Sequence, residues 1–457
     1  MSAPEVDVVV VGGGGCGLAA ALAAREAGAT VALLEKMDRP GGNTFVSTGS
    51  IPAAGSRFQR EAGVEDDPER MAADLLAKSG PHDAEHLVHL LARESASLVE
   101  WLVDEHAVDL RLITDYKHVG HSVTRLHAPP TRKGEALVRD LVAAAERAGV
   151  DIVTGNPVVD LLTEDGLVTG VRVSGERSGT YEIHSRAVVL AANGFGNNKR
   201  LLEQWIPEIV GAQYFGAEGS TGEAIEWCTR LDAETANVGA YQGYAAVAYP
   251  HGSIVSWTTV EKGGLLLSPE GRRMGDESVG YSAFAPVVSA VTSQSWVVMD
   301  ERICEYVASH ELEFSELVEV NGAVVAQDAA EVARVIGADP EVVARSLADF
   351  AAAARGERPD EFGRTDFGFG PLEAPYRVVR SIPALFHTQG GVVVNEEGAV
   401  IGRDSRPIPG LFAGGGVAAG VSGRDGAAGY SSGNGLLTAV GLGRIAGRNA
   451  ARVGERV

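Results

Sequence analysis

The chain has little cysteine, a deficit of basic charge and no long apolar run. Of its 457 residues three are cysteines, Cys16, Cys228 and Cys304. Their number is odd and they lie far apart, which argues against a disulfide framework and makes a reducing cytoplasm the expected location. No apolar stretch reaches the roughly 18 residues that a membrane span needs. The opening MSAPEVDVVVVGGGG puts no basic residue ahead of its apolar run, so it is not expected to be a signal peptide. Lys and Arg total 39 against 61 Asp and Glu, a formal net charge of −22. So acidic a surface repels phosphate backbones and anionic lipid, and neither nucleic acid nor a membrane is an expected partner. No C-x-x-C-H occurs, which excludes covalently attached haem. Disorder is excluded as well, because 45% of residues are apolar and 22% charged, as in globular chains.

Glycine is abundant: 58 residues, clearly above the roughly 7% norm. Such an excess belongs to tight turns and to backbone that approaches a ligand closely. Residues 8–11 are a β-branched run suited to a strand buried on both faces. A glycine turn follows at 12–17, a helix at 18–27 and a second buried strand at 29–34, ending at Glu35. Helical patterns dominate 67–105 and recur at 134–148. A hairpin is expected from 151–162 and 167–174, and a third buried strand at 186–192. The texture changes near residue 233 to strands and loops rich in Tyr, Trp and Ser, then to an Ala-rich helical stretch at 328–355. A loop rich in Pro, Gly and charge, 356–371, reads as a boundary. β-type sequence returns at 390–395 and 409–416, and a helix closes the chain at 435–453. The expectation is an α/β nucleotide-binding domain made from both ends of the chain (1–233 and 371–457) around an inserted domain (234–370).

Gly12, Gly14 and Gly17 fit G-x-G-x-x-G. The first glycine permits a tight turn, the second lets backbone approach a pyrophosphate, and the third lets helix and strand pack closely. The following helix points its N–H groups at the phosphates, and Glu35 lies where an acid bonds the ribose hydroxyls, about twenty residues on. Strand, helix and acid together make a ligand-free glycine turn improbable. Cys16, inside the turn, reads as a small packing residue. His82, His86 and His89 share helical spacing, but an exposed helix face explains them better than a metal, and no metal site is expected.

The run EKMDRPGGNT after Glu35, the loop AANGFG, HTQGG at 387–391, PGLFAGGG, and SGNGLLTAVGLGRIAG at 432–447 resemble the succinate dehydrogenase/fumarate reductase flavoprotein superfamily. The resemblance spans nearly the whole chain and keeps the family's motif order. It implies a discontinuous, Rossmann-like FAD-binding domain with an inserted α+β capping domain, and FAD as cofactor. It assigns Gly12, Gly14, Gly15, Cys16 and Gly17 to the pyrophosphate and Glu35, with Lys36 beside it, to the adenosine ribose. Gly42, Asn43, Thr44 and Gly49 would lie along the ribityl and isoalloxazine region. Val158, Ala192, Asn193 and Gly194 would line the adenine half and Gly435 and Leu436 the flavin end, with Gly391 and Gly415 also among the cofactor-binding residues. The N-terminus of the last helix would stabilise negative charge on reduced flavin. Gly416 stands where the family often has Glu or Asn, so one ribityl hydrogen bond is lost or comes from elsewhere. No His follows Gly42 in the stretch where membrane-bound relatives attach flavin covalently, and FAD is expected to be non-covalent.

On the substrate side the resemblance carries departures. Fumarate reductases grip a dicarboxylate with His and Arg and protonate carbon with an Arg. Here His387 keeps its place. Tyr281 stands where the proton-donating Arg belongs, Tyr430 where a carboxylate-binding Arg belongs, and Tyr244 replaces another His. A dicarboxylate would lose most of its charge-assisted hydrogen bonds. The three phenols resemble the 3-ketosteroid dehydrogenases and related cyclic-ketone desaturases instead. By that resemblance Tyr281 removes a proton α to a ketone, Tyr430 polarises the carbonyl, and Tyr116 assists. The β hydrogen leaves as hydride to flavin N5, and the phenol donor stabilises the enolate. The bland alternative for each tyrosine is a half-buried aromatic with a satisfied hydroxyl. Arg125, His127 and Arg424 are candidates to bind a substrate carboxylate, as in an oxocyclohexanecarboxylate, with a solvated loop charge as the alternative for each; a 3-ketosteroid is the larger possible substrate. The electron acceptor, oxygen or a carrier, is open. Two competing activities are weighed: reduction of an activated C=C bond, against which Tyr281 argues, and hydrolysis at Ser431 in the G-x-S-x-G of 429–433, which reads as a chance match because a glycine-rich loop and not a buried strand precedes it.

Overall fold

The computed structural model describes residues 5–115, 117–175 and 179–454. In chain order, the elements used below are strand β1 (Glu5–Val11), helix α1 (Gly15–Glu26), β2 (Val31–Leu34), β3 (Asp151–Val153), β4 (Gly179–Leu190), β5 (Gly239–Ala248), α2 (Tyr281–Val291), β6 (Tyr376–Thr388), β7 (Pro407–Ala413) and α3 (Asn434–Ala450). The chain forms two compact units. Unit 1 comprises residues 1–206, 216–241 and 387–457; unit 2 comprises 207–215 and 242–386. The inserted unit therefore differs from the expected 234–370: it runs from 242 to 386 and takes in 207–215 as well. Among the described residues no helix is long and apolar enough to cross a membrane.

Unit 1 is built on a sheet whose parallel core runs β7-β4-β1-β2-β3. Its central strands have no polar alternation because both faces are covered: Val8, Val9 and Val10 of β1 and Val188 to Leu190 of β4 have no exposure. The register puts Val11 beside both Leu34 and Leu190, and Leu190 beside Ala413. Four strands thus end level, and the loops that leave them gather at one edge. In open α/β sheets that carboxyl edge is where ligands bind. The expected hairpin is real but shorter: Val158–Glu164 pairs antiparallel with Leu167–Gly175, while β3 belongs to the main sheet.

Helices α1 and α3 pack backbone to backbone. A Cβ on Gly443 would collide with the Cys16 carbonyl, and one on Gly447 with the Ala20 carbonyl. Small residues along both helices allow this contact, and Cys16 is buried within it. Burial pushes the Cys16 thiol up to about 12, so it stays protonated and serves packing.

Unit 2 carries a sheet in which Leu265–Leu267, Ser295–Asp300, β6 and β5 are successive neighbours. The expected helical stretch at 328–355 is two helices, Ala329–Ile336 and Pro340–Ala354. Gly337 ends the first in a left-handed conformation, and Pro340 starts the second.

Candidate functional site

The glycine turn after β1 has the shape its spacing calls for. Gly12 adopts φ 108°, and a Cβ there would lie 2.5 Å from the Ala191 carbonyl oxygen. A Cβ on Gly17 would collide with the Gly12 carbonyl. Gly14 is open, its nearest neighbour 3.6 Å from where a Cβ would stand. Helix α1 has no acid in its first turn and no side-chain cap from Gly14; Thr44 takes the Gly15 N–H, and the N–H groups of Cys16 and Gly17 that follow are placed for an anion. Glu35 is buried and fixed: Oε2 accepts from the Gly13 N–H at 2.7 Å and Oε1 from the Met37 N–H at 2.8 Å. Thr44 Oγ1 accepts from the Gly15 N–H at 3.0 Å, which ties the second glycine turn to the first. Gly42 opens the single turn Gly42–Phe45 beside Gly14.

Other expected cofactor residues have structural partners. Lys36 Nζ donates to Thr221 Oγ1 at 2.7 Å and pairs with Glu223 at 2.8 Å, so its charge is spent within unit 1. Asn43 Oδ1 accepts from the Ala217 N–H at 2.6 Å, and Gly49 turns against Pro129 with φ 70°. Val158 pairs with Val173 in the hairpin. Asn193 adopts φ 64° and its Nδ2 donates to Ser220 Oγ at 2.7 Å. Ala192 precedes it at the edge where β4 ends. A Cβ on Gly194 would collide with Thr388 Oγ1, one on Gly391 with the Val417 carbonyl, and one on Gly415 would touch Cys16. Gly416 lacks the family's side chain for a local reason: a Cβ there would collide with Asn193 Oδ1.

At the other end of the cradle, α3 begins at Asn434 after Gly433 in a left-handed conformation, again with no side-chain cap. Asn434 Oδ1 and Ser431 Oγ are buried without a hydrogen-bond partner among the described residues. Leu436 is buried in the first turn. His387 stands over Gly435, and Tyr430 meets the His387 ring edge-on, centroids 6.0 Å apart. Uncapped helix ends, a fixed acid, glycine cradles and orphaned polar atoms are what a dinucleotide with a polar ring system would satisfy, so these residues fit FAD.

The three residues expected to grip a carboxylate do not converge. Arg125 is fully buried, and its guanidinium pairs with Asp66 at 2.7 Å and with Asp74. Those two carboxylates neutralise it, which corrects its expected role. His127 is also fully buried; its Nε2 lies 2.9 Å from Ser56 Oγ, and burial pushes it down to about 4. Arg424 is exposed and pairs with Asp83 at 2.7 Å. Ser431 is no nucleophile either: it is buried, and no base bonds its hydroxyl among the described residues. His82 and His86 face different partners, the Ala84 N–H and the Val394 carbonyl. Among the described residues no group of three acids, histidines or cysteines could hold a metal.

Tyr244 and Tyr281 lie in unit 2. Their rings stack 4.8 Å apart, and Phe386 stacks on Tyr244 from 5.4 Å. Tyr244 is buried and its hydroxyl donates to the Val255 carbonyl at 3.1 Å. Burial, then the neighbouring Tyr281, hold its pKa well above the usual phenol value, so it is a neutral wall, not a base. Tyr281 differs: it is half-buried and is the first residue of α2, after Gly280 with φ 102°. Its loop is held from beneath by Glu277, fully buried and paired with Arg273 at 2.7 Å and Arg364 at 3.3 Å. Tyr116 lies outside the described residues.

A family model described as "FAD binding domain" matches residues 7–432. The chain belongs to this family, within the succinate dehydrogenase/fumarate reductase flavoprotein superfamily. It is an FAD-dependent oxidoreductase of mixed α/β fold, which overturns the hydrolase alternative at Ser431. It is 29% identical over 452 residues to the NADH:fumarate oxidoreductase of Klebsiella pneumoniae (strain 342), covering 98% of this chain and 48% of that enzyme. The chain thus spans about half the length of that relative. Among solved structures, the open conformation of a flavocytochrome c3 fumarate reductase superposes with a TM-score of 0.84 at 28% identity, covering 98% of this chain and 78% of that one. The 3-ketosteroid-Δ4-(5α)-dehydrogenase of Rhodococcus jostii RHA1 shares the fold, with a TM-score of 0.76 at 24% identity over 98% and 97% of the two chains.

Sequence reasoning missed three residues around His387. Gln389, Ser422 and Asn434 join it in one buried hydrogen-bond chain. Gln389 was visible inside HTQGG as a polar side chain between the threonine and the paired glycines. Ser422 has no local signal.

Proposed function

We propose that this flavoprotein desaturates a ketone, removing hydrogen from the carbons α and β to the carbonyl, with a cyclic substrate preferred. One observation supports this most. Positions that would hold cations in a fumarate reductase hold Tyr281 and Tyr430, and the candidate carboxylate-binding guanidinium of Arg125 is neutralised by Asp66 and Asp74. In this reading Tyr281 takes the α proton. The first turn of α2 favours negative charge on a side chain placed there. Tyr430 donates to the carbonyl oxygen and stabilises the enolate. Tyr244 and Phe386 supply an aromatic wall in unit 2. FAD, when bound, supplies the hydride acceptor. Non-covalent attachment and release of electrons to oxygen or a carrier belong to the same reading.

The second reading is reduction of an activated C=C bond. It is supported by the names of the Klebsiella relative, an NADH:fumarate oxidoreductase, and of the flavocytochrome structure, a fumarate reductase. One experiment separates the two. The oxidised holoenzyme is mixed anaerobically with a panel of cyclic ketones, and the dithionite-reduced enzyme with a panel of enoates including fumarate. Bleaching by a saturated ketone supports the desaturase. Rapid reoxidation by fumarate, with no bleaching by any ketone, sinks it.

A further inference from the structure

His387 is the penultimate residue of β6. A Cβ on Gly435 would lie 3.0 Å from both its Cε1 and its Nε2, so that edge of the ring faces the first turn of α3. Two residues on, Gln389 is buried, 4% exposed. Its amide is fixed from behind. Oε1 accepts from Ser422 Oγ at 3.0 Å, and Ser422 Oγ accepts from Asn434 Nδ2 at 3.4 Å. With its oxygen committed, the amide turns its nitrogen to the imidazole, 3.2 Å from Nδ1 and 3.4 Å from Nε2. An amide nitrogen carries two protons and offers no lone pair. Only an unprotonated ring nitrogen can receive it. An imidazolium, protonated at both nitrogens, would meet it N–H against N–H.

Among the described residues the Tyr430 ring also meets His387, edge-on at 6.0 Å, and the Thr388 carbonyl lies 3.3 Å from Nδ1. Gln389, Thr388, Ser422 and Asn434 carry no charge, and among the described residues the Tyr430 phenol is the titratable group in ring contact with His387.

We infer that Gln389 is a positioning residue that holds His387 as a neutral imidazole beside the N-terminus of α3, a hydrogen-bond partner and not a cation. Burial acts in the same direction, pushing His387 down to about 4 against the opposing Thr388 carbonyl. The inference rests on unit 1 alone and stands apart from the ketone reading. Its consequence is that His387 brings no positive charge to an anionic substrate at neutral pH.

The test is a titration of the oxidised holoenzyme with carbon-13 at histidine Cε1, followed by NMR from about pH 4.5 to 8. The His387 signal is assigned by its loss in His387→Asn. In the unaltered protein the signal stays in the neutral position down to about pH 5. Gln389→Glu, whose carboxylate accepts from a ring N–H, raises the midpoint by more than about one pH unit with FAD retained. Ser422→Ala frees the amide to turn its oxygen toward the ring and raises the midpoint by less. If Gln389→Glu does not fold with FAD, the unaltered protein and Ser422→Ala decide. A signal that titrates near the ordinary value, about 6.5, overturns the inference, and so does a midpoint that neither substitution moves.

Discussion

Unit 1 is shaped by close backbone approach, whereas unit 2 is rich in stacked aromatic side chains. In unit 1, Gly12, Gly17, Gly194, Gly391 and Gly416 are glycine because another chain segment occupies the place of a Cβ. In unit 2, Tyr244, Tyr281 and Phe386 stack on one another, and the turn before Tyr281 is secured by the buried Arg273–Glu277–Arg364 cluster. The contrast separates two tasks. A dinucleotide is held by groups that every residue carries, so the constraint falls on the absence of side chains and on the direction of helix ends. Reaction preference depends on a few side-chain termini, and a guanidinium can become a phenol while the scaffold is unchanged. Two proteins can therefore share this fold at a TM-score of 0.84 or 0.76 while carrying names as different as fumarate reductase and ketosteroid dehydrogenase.

The strongest way to break the comparison is in the backbone of unit 1. Gly17→Val drives a side chain into the Gly12 carbonyl and is expected to abolish FAD binding. Flavin absorbance per chain after purification would read near zero, and a yellow protein would show that the close approach is dispensable. In unit 2 the same style of change should spare the cofactor. Tyr281→Phe is expected to keep full FAD and to lower turnover with a responsive ketone by about 10²–10⁴, the usual worth of a positioned general base. Tyr244→Phe is the control: its hydroxyl is spent on Val255, so turnover should fall by less than about tenfold and stability by about 1 kcal/mol. Equal losses in the two variants would dissolve the distinction between base and wall.

Arg125→Met sharpens the contrast between a structural cation and a binding one. Removing one partner of a buried ion pair typically costs about 3–5 kcal/mol, because Asp66 and Asp74 are left uncompensated. The expected readout is a large drop in urea midpoint with no change in preference between charged and uncharged ketones. A selective loss of acidic substrates would return Arg125 to the substrate site.

Acid should also separate the units. Burial pushes His118, His121 and His127, all of unit 1, down to about 4. Each has a folded value below its unfolded one, so as pH falls below about 6.5 the unfolded chain binds the proton first. Stability is complete above that pH and declines by about 1.4 kcal/mol per histidine per pH unit until about 4. Thermal midpoints and the fraction of FAD retained, measured between pH 7 and 4.5, should fall together, and a flat profile would contradict the buried neutral state. The smallest effect is expected from Arg424→Ala, an exposed pair with Asp83 worth at most about 1 kcal/mol. Catalysis should be unchanged.

The sequence by itself determined the cofactor, the α/β class and the discontinuous layout. These follow from local patterns: β-branched runs buried on both faces, glycines at set intervals, an acid at the end of β2, and helix starts after glycine turns. Such features act over a few consecutive residues, and consecutive residues are what a sequence displays. Tertiary structure alone decided which polar groups are spent. Arg125 and Lys36 looked available until Asp66, Asp74, Thr221 and Glu223 were brought to them. Gln389 became an anchor for His387 only when Ser422 and Asn434 closed in behind its amide. A charge or an amide has reach in every direction, and which partner desolvates it depends on chain segments whose meeting no local pattern records.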